Sequence, residues 1–348
     1  MVINGEPLVE DSSQGVSRTV AFLPLGCTDG LANPESFTKH LQEAVRSTSD
    51  ALAVIFYWPS RKVNPISDLS PVTRQADWDA LQRFLGVMYG CAGREAAVLD
   101  RPLLDVLVLI DGLMDETCLR GKVSKIILLN EVGLNDVARF LETSPEPQMV
   151  TRFSKNLRQA GDDSVSPSHP TTAAQEKQDH RHDVAALGGT FDHLHGGHKI
   201  LLTMAVAITK RRLVIGLTTD VMLKTKSHAE LLEPFETRTQ HLQTFLRHLS
   251  TDIEYDIIAL RDTYGPTATD EMISALIVSR ESAAGGLAID QVRETNGLTR
   301  LRTYVIDVIS GNHAEGAQAR EYIHPTVVGK SERRLRFGWV WCGLLSTD

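Results

Sequence analysis

The sequence predicts an α/β protein: a C-terminal doubly wound parallel sheet preceded by a second α/β domain. Three observations lead there. Short apolar runs rich in β-branched and aromatic residues alternate with segments of helical period along most of the chain. The runs are almost continuously apolar, as strands covered on both faces require. A polar stretch, residues 144–183, separates two such series.

In the first series, "TVAFLPL", "ALAVIFYW", "DVLVLI" and "KIILLN" read as buried strands, and "ESFTKHLQEAVRS", "DWDALQRFLGVMY" and "NDVARFLET" as the helices between or after them. The loop "PLGCTDGLANPES", with Gly30, reads as ordinary strand-to-helix punctuation, because Gly, Asn and Pro cluster wherever the chain turns. No catalytic motif stands out in residues 1–143. Residues 144–183 are rich in Ser, Pro, Gln, Asp and His and lack apolar periodicity, which predicts a flexible linker.

The second series spans residues 184–330. "DVAALGG" enters as a strand, "HKILLTMAVAITK" follows as a helix apolar on most sides, and "RLVIGLT" is the next strand. "FETRTQHLQTFLRHLS" aligns Phe235, Leu242, Phe245, Leu246 and Leu249 on one helical face, so it should cover a sheet. "EYDIIAL", "ALIVS" and "RTYVIDV" complete a sheet of about five strands, with ligands expected beyond the carboxyl ends of the strands.

With 348 residues, 42% of them hydrophobic, the chain has material for two cores. A formal charge of -8 and an isoelectric point near 5.9 argue against nucleic acid or an anionic membrane as partner, while leaving room for a local basic pocket. Cys27, Cys91, Cys118 and Cys342 form no metal-binding or CxxC spacing, which fits reduced thiols. The polar, acidic N-terminus has no apolar leader, so a cytoplasmic location is expected, with the nucleus also compatible.

"LGGTFDHLHGGHKILL", residues 187–202, carries three histidines and four glycines between a strand and a helix. The glycines permit a sharp turn, and the free N–H groups of the following helix attract phosphate. His195 and His198 are separated only by glycines, so both rings can face one space. Two imidazoles with backbone donors suit a polyphosphate. The competing reading is a metal site, since His180, His182, His193, His195 and His198 lie close in sequence and imidazole binds zinc.

The strand, "GGTFDHLHGGH" and the helix together resemble the H/T-x-G-H signature of nucleotidyltransferases, filled here by His195, Gly196, Gly197 and His198. "TTDVMLKTK", "EPFETR", "DTYGPTATD" and "LIVSRESAAGGLAIDQVRETNGL" follow in the order and spacing of eukaryotic-type, fungal-like phosphopantetheine adenylyltransferases, so the chain resembles that family over residues 184–308. The resemblance implies a Rossmann-like nucleotidyltransferase domain. It also implies transfer of AMP from ATP to 4'-phosphopantetheine in coenzyme A biosynthesis, with Mg²⁺ accompanying ATP, and it allows association with other enzymes of that pathway. A nucleotidyltransferase with another phosphorylated acceptor, and a non-catalytic nucleotide-binding scaffold, are the alternative readings.

Carried over by motif position, the resemblance implies that His198 stabilises the transition state and His195 binds ATP phosphates. Gly189, Thr190 and Phe191 would lie where the two substrates meet. Lys224 would contact the reacting phosphates, and Ser279, Arg280 and Glu281 would form a second nucleotide-contacting loop. The backbone around Gly265 would line the site, with Thr269 read as a helix N-cap. "HPTVVGKS" ends like a phosphate loop, but His324 replaces its first glycine and too few residues follow for a kinase domain. The tail, residues 331–348, departs from the family's K-[IM]-S-S-[ST]-x-[IL]-R stretch: Lys330, Leu335 and Arg336 fit one residue out of register, and the serine pair is absent.

Overall fold

The computed structural model describes residues 2–3, 6–7, 18–25, 31–58, 75–115, 123–129, 137, 140, 149–153, 181–224 and 229–307. Gly30, His180, Cys27, Cys118 and Cys342, most of the expected helix at residues 135–143, residues 154–180 of the expected linker and the tail from residue 308 lie outside them.

Most of the apolar runs form strands buried on both faces, whereas those at residues 254–260 and 302–306 are buried on alternate residues. In the first sheet, β3 (Arg18–Pro24), β4 (Ala51–Tyr57), β5 (Asp105–Ile110), β6 (Val123–Leu129) and β7 (Met149–Phe153) pair in parallel in the order β5-β4-β3-β6-β7. Helix α1 (Thr38–Arg46) links β3 to β4, and the long α2 (Gln75–Val98) precedes β5. Strand β7 falls inside the stretch expected to be a linker. "MVTRF" carries a short β-prone pattern that the polar composition around it outweighs in the sequence.

The second sheet has the order β12-β11-β8-β9-β10-β1-β2. Its body is β8 (His182–Gly189), β9 (Thr209–Thr218), β10 (Glu254–Leu260), β11 (Ala275–Ser279) and β12 (Arg302–Ile306), all parallel. Two-residue strands from the start of the chain, β1 (Val2–Ile3) and β2 (Glu6–Pro7), extend its edge: Ile3 pairs in parallel with Tyr255, and β2 turns back antiparallel. Counted within its own series, each five-stranded body runs 3-2-1-4-5, so the doubly wound class expected from the sequence is the one observed. In the second sheet the order reverses between β8 and β11.

Alternate residues of the second sheet serve two apolar layers. Val184, Ala186 and Leu276 face Ile289 of α5 (Ala283–Thr295), whereas Ala185, Leu187 and Ile277 face α3 (Gly196–Ile208) and α4 (Phe235–Leu246). The α3 layer is continuous with the core of the first sheet, so the two series share one apolar cluster instead of the two cores expected. This explains why α3 is apolar nearly all round: β8 and β9 cover one side and α2 the other.

A charged cluster crosses this junction. Lys199 Nζ donates to Asp105 Oδ1 at 2.6 Å and to the Val106 carbonyl at 2.9 Å. Arg18 Nη1 lies 2.7 Å from His248 Nε2, and His248 Nδ1 lies 2.8 Å from the Thr244 carbonyl. Arginine can only donate, so Nε2 must accept and Nδ1 carries the proton. Burial, with Arg18 beside it, pushes the His248 imidazole down to about 4. Burial alone would raise the Asp105 carboxyl, but the Lys199 ammonium and Arg18 outweigh it and hold it below its ordinary value.

The His248 pKa is lower in the folded chain than in the unfolded one, so the unfolded state binds more protons between them. Stability is therefore full above pH 6.5 and falls as pH drops toward 4, by at most about 3 kcal/mol from this group. Urea denaturation from pH 7 to 4.5 should give a shallower loss of stability for His248→Gln than for the unmodified chain. Equal slopes would count against the assignment.

Candidate active site at the sheet switch point

Strand β8 ends at Gly189, where the chain must turn into α3 within six residues. Phe191 and His193 do so with left-handed backbones, φ 51° and 42°, a conformation that costs energy for non-glycine residues and persists only where the surroundings enforce it. Phe191 is the enforcement: its side chain is fully buried, with its ring centroid 5.3 Å from that of His198. Its role is thus to anchor the loop from beneath. Thr190 is buried too, and its Oγ1 has no hydrogen-bond partner among the described residues.

His195 is the N-cap of α3, with Nδ1 accepting the Gly197 N–H at 3.1 Å. In the neutral ring that bond fixes the proton on Nε2, which makes Nε2 a donor. The rings of His195 and His198 stack with centroids 3.9 Å apart and planes 29° apart. The structure thus brings together two imidazoles and the N-terminus of a 13-residue helix, an arrangement that favours a polyanion.

Arg238 fixes the surrounding loops. Its side chain is wholly buried, and its guanidinium donates to the carbonyls of Thr190 (2.8 Å), Thr218 (2.9 Å) and Glu233 (2.9 Å) and to Asp220 Oδ1 (2.5 Å). One planar cation therefore joins the β8–α3 loop, the end of β9, the short helix Asp220–Leu223 and the entrance to α4. Thr218 Oγ1 closes the same join by donating to the Gly189 carbonyl at 3.1 Å. "EPFETR" gives Arg238 no role on sequence grounds. Its place in the first turn of α4, among polar residues, does not reveal burial.

Beside this loop, a crevice runs along the switch point between β8 and β11. Gly188, Gly189, Gly216, Ser282, Gly285 and Gly286 line it, so backbone replaces side chains on much of its wall. Tyr264, Pro266 and Thr267 form its rim, held by Arg293, a second fully buried arginine that donates to the carbonyls of Thr267 (2.6 Å), Asp270 (3.1 Å), Ile273 (3.3 Å) and Thr299 (2.7 Å). Gly265 starts the rim turn at φ 49°, a left-handed backbone that glycine adopts without strain, and a Cβ there would have to displace Leu260 Cδ2, 2.5 Å away.

The remaining expected site residues are less uniform. Lys224 is exposed at the end of the short helix. Arg280 and Glu281 are also exposed, and the Arg280 guanidinium is paired with Asp307. Ser279 is buried, its hydroxyl bonded within its own turn to Ser282, and it is Ser282 that reaches the crevice. Thr269 is not a helix N-cap: it closes the Gly265–Ala268 turn, and the next regular element is strand β11. The sequence pattern of Pro and Thr before an acid is common to both.

Of the histidines grouped by sequence, His195 and His198 are stacked, whereas His182 and His193 have other partners. His182 belongs to β8, with its ring nitrogens 3.0 Å from Ser274 Oγ and 2.9 Å from Tyr304 Oη. His193 lies against Glu233 and Asp192. Among the described residues, no group of three or more His, Cys, Asp and Glu side chains is arranged to hold a metal ion, and no helix is long and apolar enough to cross a membrane.

Residues 186–323 match the model of the family described as cytidylyltransferase-like. A Saccharomyces cerevisiae protein named phosphopantetheine adenylyltransferase is 40% identical over 140 residues, covering 40% of this chain and 46% of that protein. Proteins of the same name from Pyrococcus abyssi and Methanothermobacter thermautotrophicus are 40% and 34% identical, and the match covers 77% of each. The match to the fungal protein thus spans about half of that relative's length.

Removing the Arg238 guanidinium would take its donors from the buried Thr190 and Thr218 carbonyls, at roughly 1–3 kcal/mol each, and from the half-buried Glu233 carbonyl. Arg238→Met should lose at least about 2 kcal/mol in urea denaturation. A loss under about 1 kcal/mol would contradict the role given to this residue.

Proposed function

The chain belongs to the phosphopantetheine adenylyltransferase family of cytidylyltransferase-like proteins, and from that premise we propose that it transfers AMP from ATP to 4'-phosphopantetheine, releasing dephospho-CoA and pyrophosphate. The observation that carries the reading is the stacked His195–His198 pair at the N-terminus of α3, next to a crevice walled by glycine backbone. Apolar side chains such as Val214, Leu276 and Ile289, with glycines that leave room between them, suit a flat base, and the helix terminus suits its phosphates.

The acceptor is a phosphate monoester, already anionic, so no general base is required. One of its oxygens bonds to the α-phosphorus of ATP while the bond from that phosphorus to the β-phosphate oxygen breaks, and pyrophosphate leaves with the electron pair. The protein's work is alignment and charge stabilisation. In this scheme His195 donates through Nε2 to ATP phosphates, Thr190 Oγ1 gives its unused donor to a phosphate oxygen, and His198 steadies the charge of the pentavalent state. Lys224 and Arg280 add positive charge, Arg280 after exchanging Asp307 for phosphate. Mg²⁺ enters bound to ATP as part of the substrate.

Purified protein incubated with ATP and 4'-phosphopantetheine should form dephospho-CoA and pyrophosphate in equal amounts. His198→Ala should lower turnover by about two to four orders of magnitude with an unchanged melting temperature. Near-normal turnover in the folded variant would refute the role of His198. ATP binding without product in the unmodified chain would favour a nucleotide-binding scaffold instead.

A further inference from the structure

The domain formed by the first sheet contains none of the residues assigned to adenylyl transfer, yet it grips the turn that carries two of them. Gly196 opens α3, and a Cβ placed on it would meet Cβ, Cγ and Cδ1 of Tyr89 at 3.2, 3.3 and 3.2 Å. The variable position of the H-x-G-H signature is therefore filled, in space, by a ring from α2. Tyr89 is itself pinned, because its Oη accepts the Val108 N–H at 3.1 Å from the outer edge of β5. Three residues further along α3, Lys199 is bound to Asp105 and to the Val106 carbonyl on that same edge. Its own N–H closes the turn on the His195 carbonyl at 3.0 Å.

Helix α2 also reaches the second loop. Gln82 Oε1 accepts the Asp307 N–H at 3.1 Å, and Asp307 holds Arg280. Trp78 packs against Tyr304 of β12, with centroids 5.0 Å apart. Trp78, Gln82 and Tyr89 lie on one face of α2, at spacings of four and seven residues. That face touches both halves of the candidate site.

We propose that the N-terminal domain is a positioning element of the adenylyl-transfer site: Tyr89, with Asp105 acting on Lys199, fixes the first turn of α3 and hence the orientation of His198. The inference rests on the functional reading above for its catalytic consequence. Its physical basis is separate. Phosphate alignment tolerates displacements well under an ångström, and a helix terminus that carries its own glycine pair has little stiffness without outside support.

The test uses Gly196→Ala, Tyr89→Ser and the double variant in the full chain, with kcat, KM for ATP, the melting temperature and the His198 ring resonances measured for each. A purely structural role predicts that Gly196→Ala is neutral or stabilising, since alanine favours helix over glycine. Positioning by Tyr89 predicts instead that the added methyl displaces the turn. The variant's kcat should fall at least about tenfold, with KM for ATP within about threefold of the original and the His198 resonances shifted. Removing the ring in the double variant should bring both kcat and the His198 resonances to those of Tyr89→Ser alone. An unchanged kcat in Gly196→Ala, or a loss that Tyr89→Ser does not relieve, overturns the proposal. If the unmodified chain makes no dephospho-CoA, the functional reading fails by itself, and the His198 resonances still decide whether Tyr89 positions the turn: a shift in Gly196→Ala that the double variant reverses upholds it, and no shift overturns it. Should Tyr89→Ser fail to fold, Asp105→Asn carries the same test, with a fall in kcat at unchanged KM expected and an unaltered kcat overturning the role of Asp105.

Discussion

A guanidinium that never meets solvent holds the candidate site together. Arg238 binds three backbone carbonyls, one from the β8–α3 loop and one from each end of the β9–α4 connection, and both connections carry or border a residue assigned to substrate. A parallel sheet leaves its functional loops as independent excursions beyond the strand ends. Something must tie them to one another, and a planar cation with five donors can reach several acceptors at fixed angles where an ammonium could not. Buried far from water, such a group persists only if its donors are satisfied. Here they are satisfied by the loops themselves, so loop geometry and the arginine's burial are one constraint. Arg293 repeats the device on the opposite rim of the crevice.

The second constraint is the apolar surface of α3. A helix hydrophobic on all sides has to be covered on all sides, and the second sheet covers only one. Helix α2 and the edge of β5 complete the cover. The cost of seating Lys199 in that junction is offset by Asp105 and a backbone carbonyl, and the neutral His248 beside Arg18 keeps the cluster from carrying a third positive charge. The N-terminal domain is therefore part of the environment that α3 requires.

Much of this was legible in the sequence, and what escaped has a common cause. Doubly covered strands are apolar residue after residue, so β3 to β6 and β8 to β12 announce themselves locally, as does the glycine-histidine turn before α3. Strands β1, β2 and β7 do not: β1 and β2 are dipeptides, β1 existing through the distant β10 and β2 through β1, and β7 sits in polar surroundings and exists through β6. The same holds for side chains. Arg238 looks like any solvated arginine until its three carbonyls arrive, and Gly196 looks like a free choice until Tyr89 is beside it. Ser279 and Ser282 differ only in which of them a local turn consumes. Periodicity and motif report local order, whereas these features depend on contacts made between elements far apart in sequence.

The central claim is that a triphosphate cradle exists in the folded chain before any nucleotide arrives, built from the N-terminus of α3, His195 and Thr190 Oγ1. A crystal structure of the protein with a non-hydrolysable ATP analogue tests it most directly. The base is expected in the crevice, phosphate oxygens within hydrogen-bond distance of His195 Nε2 and Thr190 Oγ1, and the β8–α3 loop where it stands now, with Arg238 still on the Thr190 and Thr218 carbonyls. Phosphates bound elsewhere, or a loop that abandons Arg238 to receive them, would contradict it.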